Sequence, residues 1–245
     1  MNDIAVNGPK ILYTIPILGG INITETVRNG WIVVIAVTLL CLFLTHSLVT
    51  KNPSKRQIVA EKLYDMLCSL VRGVMGERYM KFAPYIGALF IYSMTGSLMS
   101  LTGLRSVTGD LSTTAAMAVL TTVMIQVNNI RNNGVLGWLK SFTQPVPFIT
   151  PLNIISEVAN PVSMAFRHFG NIAAGIVITK LIYAMLAAVS SLILGLIPIS
   201  GIAGIPIFQV GLPAFLSIYF DLFTSFLQAY IISMLTMVYV SGVTE

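Results

Sequence analysis

The sequence predicts an all-α fold: a polytopic integral membrane protein with about five transmembrane helices, one amphipathic surface helix, and a final pair of helices forming a long tilted antiparallel hairpin. Three observations predict it. Of 245 residues, 56% are hydrophobic and only 9% charged, where a soluble domain carries about 25% charged residues. The apolar residues fall in runs of about 20, long enough to cross a hydrocarbon core. The longest run, about 151–197, holds an arginine, Arg167, deep within it. All of this reads as a single membrane domain over residues 1–245.

Residues 1–30 mix charged and apolar residues with Asn-Gly and Gly-Gly breaks and read as an outer lead-in; they lack the basic start and cleavage site of a signal peptide. Trp31 to Val49 is the first span, opened by an interfacial tryptophan and stopped by Lys51, Pro53, Lys55 and Arg56. Over residues 57–73, Ile58, Leu63, Met66, Leu67, Leu70 and Val71 recur at helical intervals among Glu61, Lys62, Asp65 and Arg72. That is an amphipathic helix suited to the membrane surface. Residues 82–101 and 112–127 are the second and third spans, and 128–147 reads as a polar turn with Arg131, Lys140 and two prolines. At 1.5 Å per residue, the 151–197 segment would be about 65–70 Å long, twice a hydrocarbon core or more. It is read as one strongly tilted helix, with breaks at Pro161 or Gly175 the alternative. It pairs with a last helix, 208–240, across a turn near 198–208.

The basic residues set an orientation. Lys51, Lys55, Arg56, Lys62, Arg72, Arg78, Lys81, Arg131 and Lys140 fall on one side, and Lys10, Arg28 and Arg105 on the other. The positive-inside rule then puts the N-terminus outside and the C-terminus in the cytoplasm. The net charge of +5 follows from these loops and is no sign of nucleic-acid binding.

Arg167 is the residue the chain is organised around. A guanidinium cannot shed its charge, and at a helix centre it costs about 2.5–3.5 kcal/mol to insert. Asn160, Ser163, Asn171, Ala174 and Gly175 lie on or beside its face, which is small and polar. On the last helix Asp221 and Gln228 stand two turns apart on one face, with Thr224 and Ser225 between them. Such a stripe could be interhelical hydrogen-bond glue, but glue does not need an acid, so it is read as an ion-conducting surface. In the expected hairpin Arg167 comes level with Gln228, and Asp221 lies further outward. Asp110 precedes the third span, where it could be a helix N-cap, a channel residue or both. Glu157 lies near the inner interface and has a simply solvated reading as well.

Lys180 could snorkel to the outer interface or pair with Asp221. His168 points to a different face from Arg167 and reads as a packed neutral imidazole. Cys41 and Cys68 read as inert packing residues. No nucleophile with its base, phosphate-binding glycine loop or cofactor motif occurs, and the two histidines, His46 and His168, are too far apart for a metal cluster. The chain is not an enzyme on its own.

Several blocks resemble the a subunit of F-type ATP synthases, in a bacterial rather than mitochondrial spacing. They are Thr108-Gly-Asp110-Leu-Ser, Gly137-Trp-Leu-Lys-Ser-Phe142, Pro151-Leu-Asn-Ile-Ile-Ser-Glu157, Pro161 to Gly175, and Leu227-Gln228-Ala-Tyr. The resemblance implies a stator subunit of the Fo sector in a bacterial inner membrane, with the c-ring, the subunit b peripheral stalk and other ATP synthase subunits as partners. It implies that Arg167 is the essential arginine, Asn171 its companion and Gln228 the polar residue facing it. Asp110, Glu157 and Asp221 would then line two aqueous half-channels. The chain departs from the family in His168, where leucine is common, and in Ile176, where many members have glutamate; Asp221 would supply that acid from the facing helix. Lys180 is also unusual. A sodium-translocating version of the same subunit is the alternative. The rival from another class is a secondary transporter whose midplane arginine binds an anion, which predicts inverted repeats that the sequence does not show.

Overall fold

The computed structural model describes residues 8–16, 21–46, 48–144, 146–195 and 212–242. A short antiparallel hairpin, β1 (Ile11–Ile15) and β2 (Ile21–Thr24), leads into six α-helices among the described residues. These are α1 (Glu25–Thr45), α2 (Lys55–Met75), α3 (Ala83–Leu98), α4 (Leu111–Ser141), α5 (Thr150–Gly195) and α6 (Leu212–Ser241). All but α2 belong to stretches long and apolar enough to cross a membrane, α3 together with the 3-10 turns that flank it (Glu77–Thr102). The protein is an all-α polytopic membrane fold.

The lead-in differs from expectation, because α1 starts six residues before Trp31. Glu25 places an acid in the first turn, which suits the positive end of a helix. Thr26 donates to Asp110 (2.7 Å) and the Asn29 amide to the Arg105 carbonyl (2.9 Å), so the early turns are tied to the loop before α4.

The α2 helix begins at Ser54, whose hydroxyl accepts from the Gln57 N–H, and ends at Gly76 with φ +81°. Val71 and Met75 pack with Tyr79, Ala83 and Ile86 near the start of α3 and with Met237 and Val240 near the end of α6. Ile58, Val59, Leu63 and Met66 stay exposed, as an apolar face against lipid would require.

The expected polar turn over 128–147 is mostly helix, since α4 continues to Ser141. Its polar residues are compatible with a helix leaving the bilayer. The buried Asn128 donates to the Val240 carbonyl at the end of α6 (3.1 Å). Within α4 only Gly134, at φ +69° and ψ 169°, is non-helical, and it bends the last turns. Few residues other than glycine adopt that backbone geometry.

The α5 helix is continuous for 46 residues with Pro161 inside it. Met164 and Ala165 pack in one cluster with Ile232, while residues 171–178 share a cavity with residues 221–228. As numbers rise on α5 they fall on α6, so the two helices pack antiparallel. The connecting turn near 198–208 and the expected start of the last helix at residue 208 lie outside the described residues. Some buried hydroxyls bond within their own helices, as in Ser97 to the Ser93 carbonyl and Thr236 to the Ile232 carbonyl, which lets those polar residues sit between helices in lipid.

Candidate functional site

Two cavities open along α5, one on either side of Arg167. The first, about 330 Å³, is lined by Ser97 at the end of α3 and Ser100 in the 3-10 turn after it, by Asn171 and Gly175 of α5, and by Asp221, Thr224, Ser225 and Gln228 of α6. The four α6 residues share one helix face, which brings carboxylate, hydroxyls and amide to a common wall. Ser100 faces the Asp221 carboxyl group. A Cβ added at Gly175 would meet open space, so the glycine leaves its side of the wall clear.

The second cavity, about 320 Å³, is lined by Thr121, Thr122 and Ile125 of α4, by Glu157, Asn160, Pro161 and Met164 of α5, and by Val238, Tyr239 and Gly242 at the end of α6. The two linings share no residue. Glu157 precedes Arg167 by ten residues, about 15 Å of helix, and Asn171 to Gly175 follow it by about 6–12 Å. Between the cavities along α5, Leu89, Met117, Ala118, Met164, Ala165 and Ile232 form a buried apolar cluster, with Met164 also lining the second cavity.

Arg167 itself lines neither cavity. It is exposed on the outward face of α5, beside the exposed Phe166 and Val162. Among the described residues the ion pairs are Arg28–Glu25 and Arg72–Glu77, so no described carboxylate neutralises the cation. His168 turns the other way. It is 2% exposed, its Nε2 lies 3.3 Å from the Ser93 hydroxyl on α3, and its Nδ1 has no hydrogen-bond partner in the structure. The imidazole is a packed group on the bundle side of α5. Lys180 is exposed and forms no ion pair with Asp221.

Asp110 joins neither cavity. Its carboxylate caps α4 by accepting from the Ser112 N–H (3.1 Å) and hydroxyl (3.0 Å), and it also accepts from Thr26. Burial works against its charge, but the hydrogen bonds from Thr26 and Ser112, with Arg105 nearby, outweigh that and hold the carboxyl below its usual range.

Of the expected site residues, the structure brings Asn171, Asp221, Thr224, Ser225 and Gln228 together, places Glu157 in the other cavity and leaves Arg167 between them. Sequence reasoning missed Ser97 and Ser100, although Ser93, Ser97 and Ser100 recur at helical intervals and could have been found. It also missed Gln126 and Trp138. The Gln126 amide donates to the Glu157 carboxylate, and the Trp138 indole N–H donates to the Gln126 carbonyl oxygen (2.6 Å).

A bundle of apolar helices with two cavities that each hold a carboxylate, and an exposed arginine between them, belongs to the class of ion-handling membrane proteins. The family model described as ATP synthase A chain matches residues 29–241. Relatives include the sodium ion specific ATP synthase subunit a of Propionigenium modestum, 30% identical over 97% of this chain and 85% of its own. The ATP synthase subunit a of Moorella thermoacetica is 35% identical over 69% of this chain and 78% of its own. Subunit a 1 of Crocosphaera subtropica is 30% identical over 91% and 87%. The chain belongs to the ATP synthase A chain family, the membrane subunit a of the F-type enzyme. It is a multi-pass bacterial membrane protein and is not catalytic on its own.

Proposed function

We propose that the two cavities are the ion half-channels of the Fo sector and that Arg167 separates them while facing a ring of c subunits. The observation that carries this reading is the order along α5: acid-lined cavity, exposed arginine with an apolar plug behind it, acid-lined cavity. A protonated c-ring carboxyl group approaching Arg167 loses its proton, because a nearby fixed cation favours the carboxylate. The proton leaves through one cavity, and once the site has passed it reloads from the other. The plug closes the route through the bundle and Arg167 closes the route along its face, so ions cross only when the ring turns.

Asp221, Thr224, Ser225, Asn171 and Gln228 serve the outer half-channel and Glu157 the inner one. That assignment has the N-terminus outside and the C-terminus in the cytoplasm, in line with the basic loops. The subunit b peripheral stalk holds the subunit against the turning ring. The coupling ion is the proton; sodium is the second reading, favoured by the sodium ion specific relative, and it would make pumping depend on added Na⁺.

Replacing Arg167 by alanine tests the proposal. Coupled ATP synthesis should fall to background in vesicles whose complexes contain normal amounts of every subunit. Coupled synthesis retained in such complexes would overturn it.

A further inference from the structure

The bend at Gly134 has a consequence for the inner cavity. Past it the chain folds back, so that Trp138 reaches Gln126, twelve residues earlier on the same helix. The Trp138 ring also meets the Phe142 ring edge-on at 5.2 Å. On α5, Asn153 donates to the Phe142 and Gln144 carbonyls (2.8 and 3.0 Å). Asn153 and Glu157 are four residues apart, on one face of α5, so that face holds α4 before its bend, at Gln126, and the segment just past its end, at Phe142 and Gln144.

The direction of the hydrogen bonds is fixed by chemistry. An indole N–H can only donate, so the Gln126 oxygen must face Trp138. The Gln126 NH₂ then has one orientation left, towards Glu157. Without the indole, the amide could flip and present its oxygen to the acid, which an ionised carboxylate would reject.

We propose that Trp138 and Gln126 are positioning residues for Glu157, a two-member relay that fixes the carboxyl oxygen Oε1 and thereby the way this acid meets ions in the inner cavity. The proposal rests on reading Glu157 as an inner half-channel acid. It assigns a task to the Gly137-Trp-Leu-Lys-Ser-Phe142 block, which none of the other site residues explains. The contribution of Trp138 passes through Glu157 and not through contact with the ion.

A double-mutant cycle on the intact complex in sealed inverted vesicles separates this from a structural role. ATP-driven proton pumping is measured per assembled complex, against the pH of the cytoplasmic-side medium, for wild type, Trp138→Phe, Glu157→Gln and the double variant. Phenylalanine keeps an aromatic ring and removes the N–H. Trp138→Phe should lower pumping several-fold and move the pH profile, and it should change nothing further once Glu157 is glutamine. An unchanged rate in Trp138→Phe, or the same fold loss in both backgrounds, would overturn the relay. Wild-type pumping by Glu157→Gln would instead overturn the reading of the acid itself, and the relay with it. Should Trp138→Phe assemble poorly, Gln126→Met, which removes both bonds at similar volume, takes its place in the cycle with the same two outcomes.

Discussion

The two cavities are built in different ways. Most of the outer cavity's polar groups come from one face of one helix, with Asp221, Thr224, Ser225 and Gln228 spaced so that α6 alone aligns them. The inner cavity draws on the middle of α4, the first third of α5 and the last turns of α6, and its acid is held by Gln126, whose own partner Trp138 comes from beyond the α4 bend at Gly134. The proposed outer route is therefore set by local periodicity and the proposed inner one by tertiary structure. A substitution on the outer wall should act on one group at a time, whereas one at the inner cavity should propagate through its supports.

After the loss expected for Arg167→Ala, the next largest effect should come from the outer wall. Asp221→Asn keeps the shape of the side chain and removes its charge, so passive proton conduction through the complex should slow markedly with assembly unchanged. Conduction at the wild-type rate would remove Asp221 from the pathway and undo the contrast between the two walls.

Asp110 sharpens the comparison from outside both cavities. Losing an aspartate N-cap costs about 0.5–2 kcal/mol, so Asp110→Ala should lower the thermal stability of the detergent-solubilised complex while leaving proton conduction near wild type. The pH dependence has a definite sign. The folded-state pKa lies below the usual carboxylate value, so the stabilisation is present above the unfolded pKa. It is lost as pH falls through the folded value. The stability gap between wild type and Asp110→Asn should accordingly be constant near neutral pH and close in acid. A conduction defect as large as that of Asp221→Asn would place Asp110 in the channel instead.

These differences also explain what the sequence disclosed. The all-α membrane fold, the amphipathic α2 and the continuous α5 follow from composition and periodicity, because length and apolarity leave few other structures in lipid. Arg167 and the α6 stripe stand out as costly polar groups in apolar runs. The start of α1 was misjudged because Thr26 and Asn29 are held by partners about 80 residues away, which no local pattern reveals. The polar stretch after residue 127 looked like a turn because asparagines and arginines are as much at home on a helix leaving the bilayer. Trp138 stood out only as part of the Gly137–Phe142 block, and its pairing with Gln126 gave no signal, since that bond exists only across the Gly134 bend.

The central claim is that the cavities reach opposite sides of the membrane and are kept apart at Arg167. After Cys41 and Cys68 are replaced by serine, single cysteines at Thr224 in the outer cavity and at Asn160 in the inner one can be treated with a membrane-impermeant thiol reagent in sealed vesicles of known orientation. The account predicts that Thr224→Cys reacts only from outside and Asn160→Cys only from the cytoplasmic side. Labelling of both from one side, or of either from both sides, would contradict it.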